Sequence, residues 1–155
     1  MSSLSSVAAD SPVRATLDIS KAGPRAVEAQ TQQSVLRDYR LAWSSIAQAL
    51  LANTLDPLEA TFTGEAKRSL IDEVNAQRRS GLSSRYDNQD HKVQAVFYGP
   101  EGDVIELHDT AEYQLQIMDG SKGIHDQHVV IKYVVLMTPA ADRWVVRHLQ
   151  AVPEF

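Results

Sequence analysis

An aspartate at position 109 falls where the surrounding pattern asks for an apolar side chain. It shares strand parity with Leu107 and Ala111, so its carboxyl is expected to face the interior, where an unpaired charge is costly. Desolvated there, Asp109 could serve as a general base or ligand hook. A β-bulge near His108 that turns it outward, or an interior arginine partner, would make it structural instead. His91 shares the parity of Val93, and His148 that of Trp144 and Val146. Either could face the interior beside Asp109, and a His–Asp pair in a pocket is the minimal equipment for proton transfer. The same histidines at strand ends would equally serve as hydrogen-bonded rim residues.

Other chemistry is sparse. His125 and His128 flank Asp126 and Gln127, but on a strand they point to opposite faces, so no metal site is expected. There is no cysteine, which removes disulfides, thiolate metal sites and cysteine nucleophiles. No glycine-rich phosphate loop, G-x-S-x-G, H-E-x-x-H or dinucleotide fingerprint occurs, and no cofactor is expected. Tyr39, Trp43, Phe97, Tyr113, Tyr133 and Trp144 supply large aromatic bodies that either fill a core or line the mouth of a ligand pocket. Arg78, Arg79 and Arg85, near Tyr86, read as a solvated helix end or as an anchor for an acidic group.

The elements that must position these residues follow from periodicity. Residues 1–30 are interrupted by Pro12, Gly23 and Pro24 and open on small polar residues, so they read as a flexible or loosely docked tail. Leu36, Tyr39, Trp43, Ile46 and Leu50 recur at spacings of three and four and define a helix face, with Arg37, Asp38 and Arg40 off that stripe. Asp56-Pro57 starts a short helical turn. Thr63 stands at the cap of a further helix that carries Ala66, Leu70 and Val74 and stops at Gly81. Beyond Gly81 the period becomes two. Four strands are expected: one through Val93, Ala95 and Phe97, one from Ile105 to Ile117, one through Val129 to Met137, and one from Trp144 to Val152. Short turns between them imply an antiparallel meander. The expected fold is therefore α+β, with N-terminal helices packed on a curved four-stranded antiparallel sheet, cone-like, in a single domain over residues 31–155.

The 155 residues carry a net charge of −5. Residues 82–155 hold six basic and eleven acidic side chains, so the excess lies wholly on the sheet half. That balance argues against nucleic acid and for a basic or neutral partner. No apolar run approaches the roughly 18–20 residues of a membrane span, so no span is expected in this chain.

The order of elements resembles the cone of the nuclear transport factor 2-like superfamily. Within it, the chain is similar to the intermembrane-space-type domain of chloroplast-division proteins and their cyanobacterial relatives. The resemblance rests on Trp43, on Leu55-Asp56-Pro57-Leu58-Glu59, on Phe62-Thr63-Gly64-Glu65-Ala66, and on Arg79-Ser80-Gly81 ahead of a strand with Tyr86. Asp142-Arg143-Trp144-Val145-Val146 resembles the closing strand that many such cones share. Some cones of this superfamily are isomerases or dehydratases with interior Asp or His. Others bind proteins, peptides or lipid, and this branch leans non-catalytic, as the soluble part of membrane-tethered proteins. The resemblance thus leaves two compartments open, the cytoplasm and the soluble side of a tethered precursor.

The first functional expectation is a non-enzymatic binding or assembly module that presents a sheet face or apolar groove to a protein or peptide partner, with homodimerisation as a second use of that surface. The alternative is a cone that binds a small hydrophobic molecule, as an isomerase or hydrolase using Asp109 with His91 or His148.

Overall fold

The computed structural model describes residues 12–155. It contains strand β1 (Arg14–Asp18), helix α1 (Ala29–Ala52), a 3-10 turn (Asp56–Leu58), helix α2 (Gly64–Ser80), and strands β2 (Leu82–Tyr98), β3 (Ile105–Asp119), β4 (Lys122–Pro139) and β5 (Trp144–Val152). Helix α1 buries Tyr39, Ala42, Trp43, Ile46, Ala49 and Leu50, the stripe its spacing dictates. It ends at Asn53, whose left-handed backbone (φ 54°) returns an N–H to the Ala49 carbonyl. Helix α2 buries Ala66, Leu70 and Val74, and Gly81 (φ 73°) closes it with an N–H to the Arg78 carbonyl. Thr63 holds the N-cap position with extended backbone, but its hydroxyl makes no capping bond.

The sheet differs from expectation. It has five strands in the order β1-β2-β3-β4-β5, and β1 runs parallel to β2, so it is mixed rather than four-stranded and antiparallel. The fifth strand comes from the stretch read as a tail. Arg14, Thr16 and Asp18 lie opposite Asp90, Lys92 and Gln94, with Ala15 and Leu17 beside His91 and Val93. A five-residue strand offers only two core-facing positions, too few for alternation to register as a signal. Its parallel partner lies across both helices, as a crossover requires. Residues 1–11 of that expected tail lie outside the described residues.

Strands β2 to β5 pair antiparallel in chain order. Irregularities interrupt β2 between Asp87 and Asp90 and between Ala95 and Phe97, the β3–β4 ladder between Ile117 and Met118, where Ile124 is the extra residue, and the β4–β5 ladder between Leu136 and Met137. Each bends the strands and shifts which side chains face the helices. One sheet face carries the core: Val93, Ala95, Leu107, Ala111, Tyr113, Val135, Met137 and Val146 are buried under the two helices. Towards its C-terminal end the β2 edge meets β1, opposite Asp90 to Gln94, and Gly23 to Arg25, where the Tyr98 N–H donates to the Gly23 carbonyl (2.9 Å) and the Arg25 N–H to the Tyr98 carbonyl (3.3 Å). Residues 61–63 clasp Val146 on the far edge, through Val146 N–H to the Thr61 carbonyl and Thr63 N–H to the Val146 carbonyl, both at 2.9 Å.

One polar residue that the helix pattern placed off the core stripe is buried. Asp38 accepts the Trp144 backbone N–H (2.8 Å) and the Arg37 guanidinium (2.9 Å), tying α1 to the start of β5. An orphan N–H at a strand start needs such an acceptor. Nothing local to α1 announces it.

Candidate functional site

Asp109 stands in the middle of β3, between Val93 of β2 and Tyr133 of β4. No irregularity occurs from Ile105 to Ile117, so its parity carries through and the carboxyl is wholly buried. There is no interior arginine. The partners are Tyr39 from α1, whose hydroxyl donates to Asp109 Oδ2 (2.5 Å), and His91 from β2, whose Nδ1 lies 2.7 Å from the same oxygen. His91 is also fully buried, and its Nε2 meets Gln89 Oε1 at 3.0 Å. Trp43 packs over His91 with ring centroids 4.7 Å apart, and Tyr39 meets the imidazole edge-on at 5.9 Å. The result is a continuous polar chain, Tyr39–Asp109–His91–Gln89, that ties α1 to both central strands.

Burial, and then the negative charge of Asp109, push the Tyr39 hydroxyl well above its ordinary pKa. Tyr39 therefore stays a hydroxyl and keeps donating. Among the described residues, buried Asp109 Oδ1 and Trp43 Nε1 have no hydrogen-bond partner. Neither Asp109 nor His91 has exposed surface, and neither lines the adjacent cavity. Geometrically this chain is a fastening.

The other sequence candidates disperse. His148 does not join Asp109: it lies opposite Leu136, with Nε2 near Gln150 Oε1 (3.1 Å) and Nδ1 near Glu65 Oε1 (3.5 Å). Arg147 is the extra residue at the β4–β5 irregularity, and it flips the parity beyond Val146. Phe97 is likewise turned out beyond Ala95; it pairs with Glu106 and is 37% exposed. Trp144 sits between the Asp38 anchor and the Tyr98 ring, 6.5 Å away. Tyr113 and Tyr133 join hydroxyls at 3.1 Å. Their hydroxyls and that of Tyr86 are pushed above the ordinary tyrosine value, first by burial.

Trp43 and Tyr133 line a cavity of about 150 Å³ between the helices and the sheet. It also has Tyr86, Leu149, Ser69 and Glu73 on its walls. Desolvation against that wall raises the Glu73 carboxyl from its ordinary value. The sequence offered one hint of Glu73, since it lies one turn from Leu70 along α2, but nothing in its spacing distinguishes it from a solvated helix acid.

A different region draws attention by what it leaves uncovered. The β4–β5 ladder begins only at Lys132, opposite Val152, whereas β4 pairs with β3 from Lys122 onward. Residues 122–131 therefore present a backbone edge with no strand beside it among the described residues. Residues 122–128 are exposed, and the apolar Ile124 and Val130 are 52% and 63% exposed. Polar side chains on the outer face are held in place: Asp126 accepts from Gln114 (2.6 Å), and His128 meets Glu112 (2.8 Å). His125 and His128 do not converge, and no group of three metal-ligating side chains forms among the described residues.

With this geometry in place, comparison with known proteins is informative about fold. The chain shares its fold with the intermembrane space region of chloroplast protein ARC6. The crystal structure of that region matches with a TM-score of 0.66, covering 83% of this chain and 98% of the other, at 12% sequence identity. No family model and no curated protein matches the sequence. At such low identity the likeness is one of architecture, and it agrees with the narrower resemblance read from Trp43 and the Leu55-to-Ala66 stretch. Among the described residues, no helix is long and apolar enough to cross a membrane.

Proposed function

We propose that this protein is a non-enzymatic binding module, a cone of the nuclear transport factor 2-like kind, which takes a strand of a protein partner along the open edge of β4. The observation that carries this reading is the ten-residue edge of β4, residues 122–131, which runs past the end of β5 with Ile124 and Val130 exposed beside it. Unpaired strand edges are templates for added strands: backbone hydrogen bonds supply affinity and alternate side chains supply specificity. The shared architecture with a region of a chloroplast protein is compatible with the reading and adds no partner. The sealed state of Asp109 and His91 weighs against the isomerase or hydrolase alternative.

The test is capture. Immobilised protein is compared with an Ile124→Lys/Val130→Lys variant for binding of proteins from the source lysate, with circular dichroism to establish that both are folded. Loss of the specific binder in the variant is expected. Retention of the same binder would remove the edge from consideration.

A second reading has its own observation. The cavity walled by Trp43, Tyr86 and Tyr133 mixes aromatic and aliphatic side chains with the polar Ser69 and Glu73, and at about 150 Å³ it admits only a small ligand. Tryptophan fluorescence during titration with small apolar compounds tests it, with Leu149→Trp as the variant that fills the space.

A further inference from the structure

The open edge is complementary to itself. We propose that its occupant is the same edge of a second copy of this chain, paired antiparallel about a twofold axis at Gln127. This rests on the reading of that edge as a binding surface and names its partner. Directly opposed residues of an antiparallel pair project from the same face of the sheet, so the axis must pass through a residue and not between two. Three central registers are then available. An axis at Asp126 sets that carboxylate against its own copy, and an axis at His128 sets imidazole against imidazole. An axis at Gln127 places Asp126 opposite His128, twice by symmetry, and brings Val130 towards Ile124, the extra residue where the β3–β4 register shifts between Ile117 and Met118.

The side chains involved are the ones the fold leaves available. Ile124 and Val130 are 52% and 63% exposed, and each would cover the other across the new ladder. Gln114 and Glu112 of β3 hold Asp126 and His128 on the outer face, where an opposed strand would meet them. The stretch carries no proline to block added hydrogen bonds. The added ladder stops at Ile131, because Val152 of β5 already pairs with Lys132, and this keeps Lys122 of the second copy off the Lys132 backbone.

The absence of cysteine makes the test clean, because one introduced thiol reports one position. Residues opposed at the axis have Cα atoms about 4.5–5.5 Å apart, within the span a disulfide bridges. Gln127→Cys should therefore give a covalent dimer under mild oxidation. Lys122→Cys should not, since its two copies would stand ten residues apart along the ladder, about 34 Å. Sedimentation equilibrium of the native chain should show a mass rising towards twice that of one chain with concentration, and the Ile124→Lys/Val130→Lys variant should stay at one. A single-chain mass at every concentration, or equal cross-linking at positions 122 and 127, would overturn the inference. If the chain is monomeric while the same variant still loses a captured protein, the second copy is wrong and the edge reading stands. If the variant loses neither, both fall.

Discussion

The two ends of the β3–β4 ladder are built from the same alternating pattern and do opposite things. Around Asp109 the strands lie beneath α1, and a polar side chain there depends on partners inside the protein. Tyr39, His91 and Gln89 supply it, and the polar chain fixes the helix to the sheet. Around Gln127 the strands have run beyond β5, and the burdens reverse. Polar groups are satisfied on the surface, while Ile124, Val130 and the backbone edge are left uncovered. The difference teaches that an off-pattern polar residue in a strand marks a function only if something outside the protein can touch it. The off-pattern residue here is the inaccessible one, and the unremarkable stretch is the exposed one.

Removing the acceptor from the buried end should have the largest effect. Asp109→Ala strands the Tyr39 hydroxyl and the His91 ring without water, and about 3–5 kcal/mol of stability should be lost. Urea denaturation measures it. A neutral or stabilising result would mean that the carboxylate is retained against stability, and the site would then have to be reconsidered as functional. Tyr39→Phe deletes one donor and leaves Asp109 Oδ2 with His91, so a smaller loss of about 1–2 kcal/mol is expected from the same melts. If the two variants cost the same, the network does not act through Asp109.

At the open end the expected stability change is nearly nil. At a chain concentration low enough to leave it monomeric, Ile124→Lys/Val130→Lys should alter the unfolding free energy in urea by no more than about 0.5 kcal/mol, since both side chains are then largely in solvent. A large loss would show that the exposed hairpin contributes to the core, and the contrast between the two ends would dissolve.

The smallest effect concerns the covered edge of β2. The Arg25 guanidinium beside Glu28 holds that carboxyl down to about 2. Its folded value is depressed, so its contribution is present above the ordinary glutamate range and is lost as pH falls towards about 2. Glu28→Gln should flatten the acid limb of the stability profile between roughly pH 4.5 and 2. An unchanged limb would show that Glu28 does not help hold residues 23–28 against Tyr98.

Periodicity along the chain was enough to place the helix stripes of α1 and α2, the later part of β2 and the strands β3 to β5, and it raised an interior Asp109 while leaving an outward turn open. Local sterics and apolar spacing act over a few residues, so those features are written locally. Asp109 kept its parity because nothing interrupts β3 between Ile105 and Ile117. Phe97 and His148 had the same claim to the interior and lost it, because Val96 and Arg147 are extra residues that shift everything after them to the other face. A bulge is a property of two strands in register, so neither sequence segment announces it. The same holds for β1, whose parallel partner lies on the far side of both helices, and for Asp38, whose ligand is a backbone N–H more than a hundred residues away. The tertiary structure alone decided which histidine reaches Asp109, that α1 seals the pair from solvent, and that β5 stops short and leaves the β4 edge open. Each depends on where strand ends fall relative to one another, and that is set only when the sheet and helices close around a common core.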